Sequence, residues 1–184
     1  MEDRTSAVAC REPYFLLRYG GSTKKILLAR QDKPARTYGV SMPYITRNHP
    51  KLTQEGANAV LAAAQQRARE IGIAMNIAIA DEGGHMMVFS RMDGARISSV
   101  RIAIAKARAA AIQRRATGPA DGDPSKVMMS LAIAITSLGI QTPMRGGLSL
   151  EIEGQCVGGI GVSNGTEDED LDVARAGAAA LVAK

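Results

Sequence analysis

Residues 73–92, IAMNIAIADEGGHMMVFSRM, decide how this chain folds. Ile73, Met75, Ile77 and Ile79 alternate with small or polar residues, the period of a strand with one strongly apolar face. Glu82-Gly83-Gly84 then turns the chain, and HMMVFSRM returns as the partner strand of a hairpin. On the N-terminal side, Thr53 is a helix cap, Glu55 suits a helix N-terminus, and Val60, Leu61, Ala64, Ala68 and Ile71 follow at helical spacing until Gly72. On the C-terminal side, Ser98 or Ser99 opens a second helix through VRIAIAKARAAAIQRR, which the Thr-Gly-Pro of 117–119 is expected to stop.

ATGPADGDPS, residues 116–125, is a loop by composition, and a short helix is expected over 126–137. Residues 146–165, GGLSLEIEGQCVGGIGVSNG, form the clearest hairpin, two alternating strands around Glu153-Gly154 with glycines where another backbone must come close. Thr166 with Glu169 three residues on is a capping box, opening a last helix with an acidic first turn. The order α-β-β-α-α-β-β-α places hairpins between helices. That predicts an α+β domain, an antiparallel sheet with helices packed on its faces, and not a βαβ nucleotide fold. No glycine-rich phosphate-binding motif occurs; the glycines of GGIGVSNG read first as packing devices.

The chain has 184 residues, 46% hydrophobic and 22% charged, as expected of one globular domain with a real core. Its longest apolar runs fall short of a bilayer span, and no secretory signal is visible, so a cytoplasmic protein is expected, with no membrane association. The net charge of +5 lies entirely in residues 1–50, which hold nine Lys/Arg against four Asp/Glu; the remainder holds fourteen of each. A neutral body without tryptophan lacks the field and stacking platforms of nucleic-acid binders, so no nucleic-acid partner is expected. Residues 1–49 read as a flexible extension in which only YFLLRY and KKILLAR suggest short strands or a helical turn, and Met42 is a plausible alternative start; residues 50–184 form the domain. Cys10 and Cys156 are expected as reduced thiols. With His49 and His85 the sole histidines, no metal site is expected.

Several residues carry candidate chemistry. His85 follows a tight turn, where its ring reaches back to Asp81; the pair is either a general acid/base or a structural hydrogen bond. Arg91 and Asp93 flank Met92 above the bend at Gly94, so the guanidinium either pairs with Asp93 or meets a ligand carboxylate. Lys106 projects from a mostly alanine helix face that also holds Ser99 and Ile102, suited to an anionic ligand or to a salt bridge with Asp81 or Asp93. Met86, Met87 and Met92 cluster nearby, as core filling or as contacts to an apolar cofactor. Ser163-Asn164-Gly165 reads as the turn before the last helix, with anion binding as the alternative. The imidazole of His85, the guanidinium of Arg91 and the ammonium of Lys106 are expected to face one cavity.

Asp-x-Gly-Gly-His, Arg-Met-Asp-Gly-Ala and Lys-Ala-Arg-x-Ala, in that order over about residues 50–182, resemble the GlcG/HbpS-like, haem-degrading (DUF336) family, and equally the C-terminal domain of PduO-type corrinoid adenosyltransferases. The resemblance implies a profilin-like, three-layer α/β/α architecture with a central antiparallel sheet, a homo-oligomer, and haem or a corrinoid as possible ligand; it carries over no haem ligand, and His85 is a candidate axial donor to haem iron from its own position after the turn. Two functions follow as expectations. One is an oligomeric small-ligand-binding protein for haem, a corrinoid or another anionic metabolite, with Arg91, Asp93, Gly94, Ser99 and Met92 as ligand-binding residues. The other is a small catabolic isomerase, deaminase or hydrolase acting on a carboxylate, with His85, Asp81 and Lys106 catalytic and Arg91 or Lys106 binding the carboxylate. A structural or regulatory subunit is a third.

Overall fold

The computed structural model describes residues 14–19, 22–27, 48–119, 126–138 and 140–181. The chain divides into two units, Met1–Ile45 and Thr46–Lys184. In the first, β1 (Tyr14–Tyr19) and β2 (Ser22–Leu27) pair antiparallel, with Tyr14 opposite Leu27. The flexibility expected of the rest of the extension lies outside the described residues.

The second unit runs α1 (Gln54–Glu70), β3 (Asn76–Asp81), β4 (Met86–Arg91), α2 (Val100–Gln113), α3 (Val127–Thr136), β5 (Gly147–Ile152), β6 (Gln155–Ser163) and α4 (Glu167–Ala179). Its four strands form one antiparallel sheet in the order β4-β3-β6-β5. Local signals act as expected at most boundaries. The Thr53 hydroxyl accepts from Gly56 N at the start of α1, and Thr166 and Glu169 complete the capping box of α4. Glu153 and Gly154 both take positive φ in the β5–β6 turn, the backbone twist that matches the flanking strands.

The two faces of the sheet are built from different side chains. Ile77 and Ile79 of β3, Ile160 and Val162 of β6 and Leu150 of β5 pack with Val60, Ala64 and Ala68 of α1 and Val173 and Ala174 of α4, forming the main core. The opposite face is small. Ala78 and Ala80 stand opposite Gly161 and Gly159 in the β3–β6 register, and Ala103 and Ala107 of α2 lie on them. A Cβ at Gly159 or Gly161 would run into the backbone of α2 at Ala103 and Ala107. The match has a geometric basis: four helical residues rise about 6 Å and two strand residues about 6.7 Å, so alanines at i, i+4 meet glycines at i, i+2. The alternating residues of β3 are therefore buried on both sides, a three-layer arrangement rather than a strand with one solvated face.

Two local expectations are corrected. Helix α2 ends at Gln113, before Thr117, because Arg114 turns left-handed at φ 53 and its N–H caps Ala110 O. A single turn of 3-10 helix, Ile97–Ser99, precedes it; Ser99 occupies the cap position but its hydroxyl donates to Arg96 O and accepts from Asn76 Nδ2.

Candidate functional site

The sequence-derived candidates fall at two ends of the sheet. Asp81 lies five residues after Asn76 along β3, roughly 17 Å of extended chain. At the Asp81 end, the carboxylate organises the β3–β4 turn: Oδ1 accepts from Gly83 N at 2.9 Å and from His85 N at 2.8 Å, with His85 Nδ1 at 3.3 Å. Burial works against its charge, but the N–H groups of His85 and Gly83 and the nearby imidazole outweigh it and hold the carboxyl below the usual carboxylate range. The expected Asp81–His85 pair is formed. The ring itself is 84% exposed. Beside it Lys51 Nζ donates to Glu82 at 2.7 Å, and that hydrogen bond draws Glu82 below its ordinary value.

A cleft of about 650 Å³ opens at the same end, lined by His49, Arg114, Glu151, Gly154, Gln155 and Cys156. His49 Nδ1 and Gln155 Oε1 are 2.8 Å apart. With Nδ1–H donated to that amide oxygen, Nε2 keeps its lone pair for another partner. Burial raises the Cys156 thiol, whose Sγ–H faces the carbonyls of Ala111 and Gly158, so it stays protonated in the cleft wall.

At the other end, Lys106 and Asp170 meet inside the protein at 2.8 Å, their side chains 3% and 4% exposed. Lys106 Nζ also donates to Val162 O at 2.9 Å, and Asp170 Oδ1 accepts from Gly165 N at 3.0 Å. Burial pushes the Asp170 carboxyl above the usual range even with the ammonium against it. The partner expected for Lys106, Asp81 or Asp93, is thus replaced by a residue of the acidic first turn of α4. Sequence does carry the signal: Asp170 alone among 167–170 is in helical phase with the buried Val173, Ala174 and Gly177. A second cleft, about 240 Å³, lies here between Arg96, Ser98, Ser99, Ile102 and Lys106 on one side and Met144, Ser163, Asn164, Gly165, Glu167 and Asp170 on the other. Ser99, Ile102 and Lys106 share one helix face, as their spacing predicts.

Arg91, opposite Asn76 on the edge strand, is exposed, and so are Asp93 and Gly94. Among the described residues Arg91 and Asp93 form no ion pair. Gly94 bends the chain at φ 90. Met92 packs on the main core, its Sδ accepting from Met75 N at 3.5 Å. Among the described residues, the single cavity expected to join His85, Arg91 and Lys106 is not formed: the first is solvent-facing at one end of the sheet, and the last is sealed in an ion pair at the other. Among the described residues, no group of three or more His, Cys, Asp or Glu is placed to hold a metal ion.

A three-layer α+β domain with an oriented imidazole on a cleft at one end of the sheet and a buried ion pair beside a smaller cleft at the other is the class these features define. The chain belongs to the HbpS-like family: the model of the haem degrading protein HbpS-like family matches residues 52–179. It is 35% identical to protein GlcG of Escherichia coli K12 over 112 residues, 61% of this chain and 81% of GlcG. It is 30% identical to the corrinoid adenosyltransferase PduO of Citrobacter freundii over 71% of this chain but 39% of PduO. Among solved structures, Klebsiella pneumoniae ORFY superposes with a TM-score of 0.70 at 26% identity, covering 79% of this chain and 99% of ORFY. The haem complex of PduOC superposes with a TM-score of 0.62 at 25% identity, covering 71% and 95% of the respective chains.

Proposed function

We propose that this is an oligomeric, cytoplasmic ligand-binding domain of profilin-like architecture that takes a planar metal tetrapyrrole, haem or a corrinoid, in the cleft of His49. The observation that carries this reading is the His49–Gln155 hydrogen bond, which fixes the ring and leaves Nε2 as the free donor on a cleft of about 650 Å³. That volume lies within the roughly 300–1,000 Å³ of small-molecule sites, whereas the second cleft is below it. A histidine whose second nitrogen is held by a hydrogen bond is the usual form of an imidazole metal ligand. Arg114 supplies a cation for peripheral carboxylates. A bound tetrapyrrole would contribute its metal's ligand-exchange and redox chemistry; His49 would hold the metal through Nε2, oriented by Gln155. The haem complex of PduOC supports the ligand class. Helix α3 supports the oligomer: Met128, Met129 and Ile135 are 74%, 65% and 67% exposed, an apolar face that an isolated chain leaves in water. No helix of the described residues is long and apolar enough to cross a membrane.

Titration of the full chain with hemin and, separately, hydroxocobalamin, followed by absorbance, tests this. Saturation at one site per chain is expected with one of the two, lost in His49→Ala, weakened in Arg114→Ala and kept in His85→Ala. Loss of binding in His85→Ala with His49→Ala unaffected would move the ligand to the hairpin and overturn the assignment. The alternative of an enzyme acting through His85, Asp81 and Lys106 on a carboxylate held by Arg91 requires groups that this chain keeps in separate places.

A further inference from the structure

The second cleft contains two groups that the fold leaves unused. The first is Arg96. Its backbone N–H and Nε donate to Asn164 Oδ1 at 3.2 and 2.7 Å, and Nη2 donates to Asn164 O at 2.7 Å. All these acceptors are neutral, and among the described residues no carboxylate pairs with this guanidinium. The exposed guanidinium is oriented by two of these hydrogen bonds, from Nε and Nη2, and no described carboxylate compensates its charge. The second is Ser163, 5% exposed and on the cleft wall, whose hydroxyl has no partner among the described residues. The oxygen keeps contact with the solvent of the cleft and is an available donor there.

The other charges around the cleft are accounted for. Lys106 and Asp170 neutralise each other, and Glu167 is exposed, its Oε1 accepting from Arg145 N. Among the described residues Arg96 is thus the one cation lining this cleft without a carboxylate partner, and Glu167 disfavours a second negative charge beside it. Ile102 and Met144 add an apolar flank. A cleft of about 240 Å³ holds about eight water volumes at ~30 Å³ each, room for a molecule of a few heavy atoms. We propose that this cleft binds a short-chain monocarboxylic acid, its carboxylate on Arg96 and the Ser163 hydroxyl and its hydrocarbon against Ile102 and Met144. The site is separate from the His49 cleft: Ser163 lies seven residues along β6 from Cys156, about 23 Å of strand.

Isothermal titration of the full chain with propionate, butyrate, succinate and inorganic phosphate tests the proposal. Propionate and butyrate are expected to bind saturably at one site per chain, with succinate and phosphate weaker by about tenfold or more. Ser163→Ala removes a hydroxyl that bonds nothing internally, so the fold is retained and acid affinity falls about tenfold. Arg96→Gln is expected to abolish binding, with circular dichroism checking that loss of the Asn164 clip leaves the fold intact. Both variants keep the absorbance response to hemin or hydroxocobalamin, because that cleft is untouched, whereas His49→Ala keeps the acid. Absence of saturable heat with both acids, affinity unchanged in Ser163→Ala, or preference for phosphate would each overturn the proposal.

Discussion

At the Asp81 end of the sheet a half-exposed carboxylate accepts two backbone N–H groups and leaves its histidine in water; at the Ser163 end a fully enclosed carboxylate meets a fully enclosed ammonium. Both arrangements join an acid to a base, yet their physical content is opposite. Asp81 shapes a turn of five residues and its charge is stabilised by the N–H groups around it. Asp170 ties α4 to α2 and to the end of β6 across 64 residues of chain, and its charge is opposed by burial. Hydrogen-bonded exposure produces a local device whose removal is tolerated, while enclosure produces a long-range one whose removal is not.

The largest expected effect follows directly. Asp170→Ala strands the Lys106 ammonium in a dry site with Val162 O as its remaining acceptor, and breaking such a pair costs about 3–5 kcal/mol. Urea denaturation is the measurement. Replacing both partners with apolar residues, Lys106→Met with Asp170→Leu, is expected to recover most of that loss, because the desolvation cost of both charges disappears with their attraction. A double variant as unstable as Asp170→Ala would mean that the hydrogen bonds to Val162 O and Gly165 N, rather than the stranded charge, carry the cost.

The same contrast explains what was legible in the sequence. Features set by neighbours in the chain could be read: the caps at Thr53 and Thr166, the Glu82–Gly84 and Glu153–Gly154 turns, the Asp81–His85 approach and the shared face of Ser99, Ile102 and Lys106. Features set by packing between distant segments could not. Alternation in β3 does not reveal that its alanines lie under α2, since an alanine face suits either water or a close-packed helix. Chemical type alone offers Lys106 the partners Asp81 and Asp93, and only helical phase separates Asp170 from neighbouring acids that equally suit a helix N-terminus. His49 and Arg96 belong to no motif; each gains meaning from one residue far along the chain, Gln155 and Asn164. The end of α2 was misplaced because an arginine seldom takes the left-handed cap usually filled by glycine.

Acid titration sharpens the contrast at intermediate size. A carboxyl raised by burial stabilises the fold most when protonated, and that contribution is lost as pH rises through its native pKa. A carboxyl lowered by hydrogen bonds stabilises it when ionised, and that contribution is lost as pH falls through its native pKa. Asp170 is of the first kind and Asp81 of the second. Carbon-13 carboxyl spectra recorded on acidification are expected to show Asp170 taking up its proton well before Asp81. The reverse order would mean that attraction to Lys106 outweighs burial at Asp170. Asp81→Ala, which deletes the acceptor of both turn N–H groups, is expected to cost about 1 kcal/mol near neutral pH.

The smallest effect is expected at His85, the residue to which the sequence draws most attention. Its ring is solvent-facing, its one close partner is a carboxylate already satisfied by two N–H groups, and the hydrogen bonds that shape the turn come from its main chain. His85→Ala keeps that main-chain donor, so the unfolding midpoint is expected to be unchanged within measurement. Asp81 loses a neighbouring imidazole and its carboxyl should then titrate slightly higher, a change visible in the same carboxyl spectra. A clear loss of stability would show that the ring is buried in the working protein. In that case a contact from beyond the described residues covers the β3–β4 turn, because among them nothing encloses the ring.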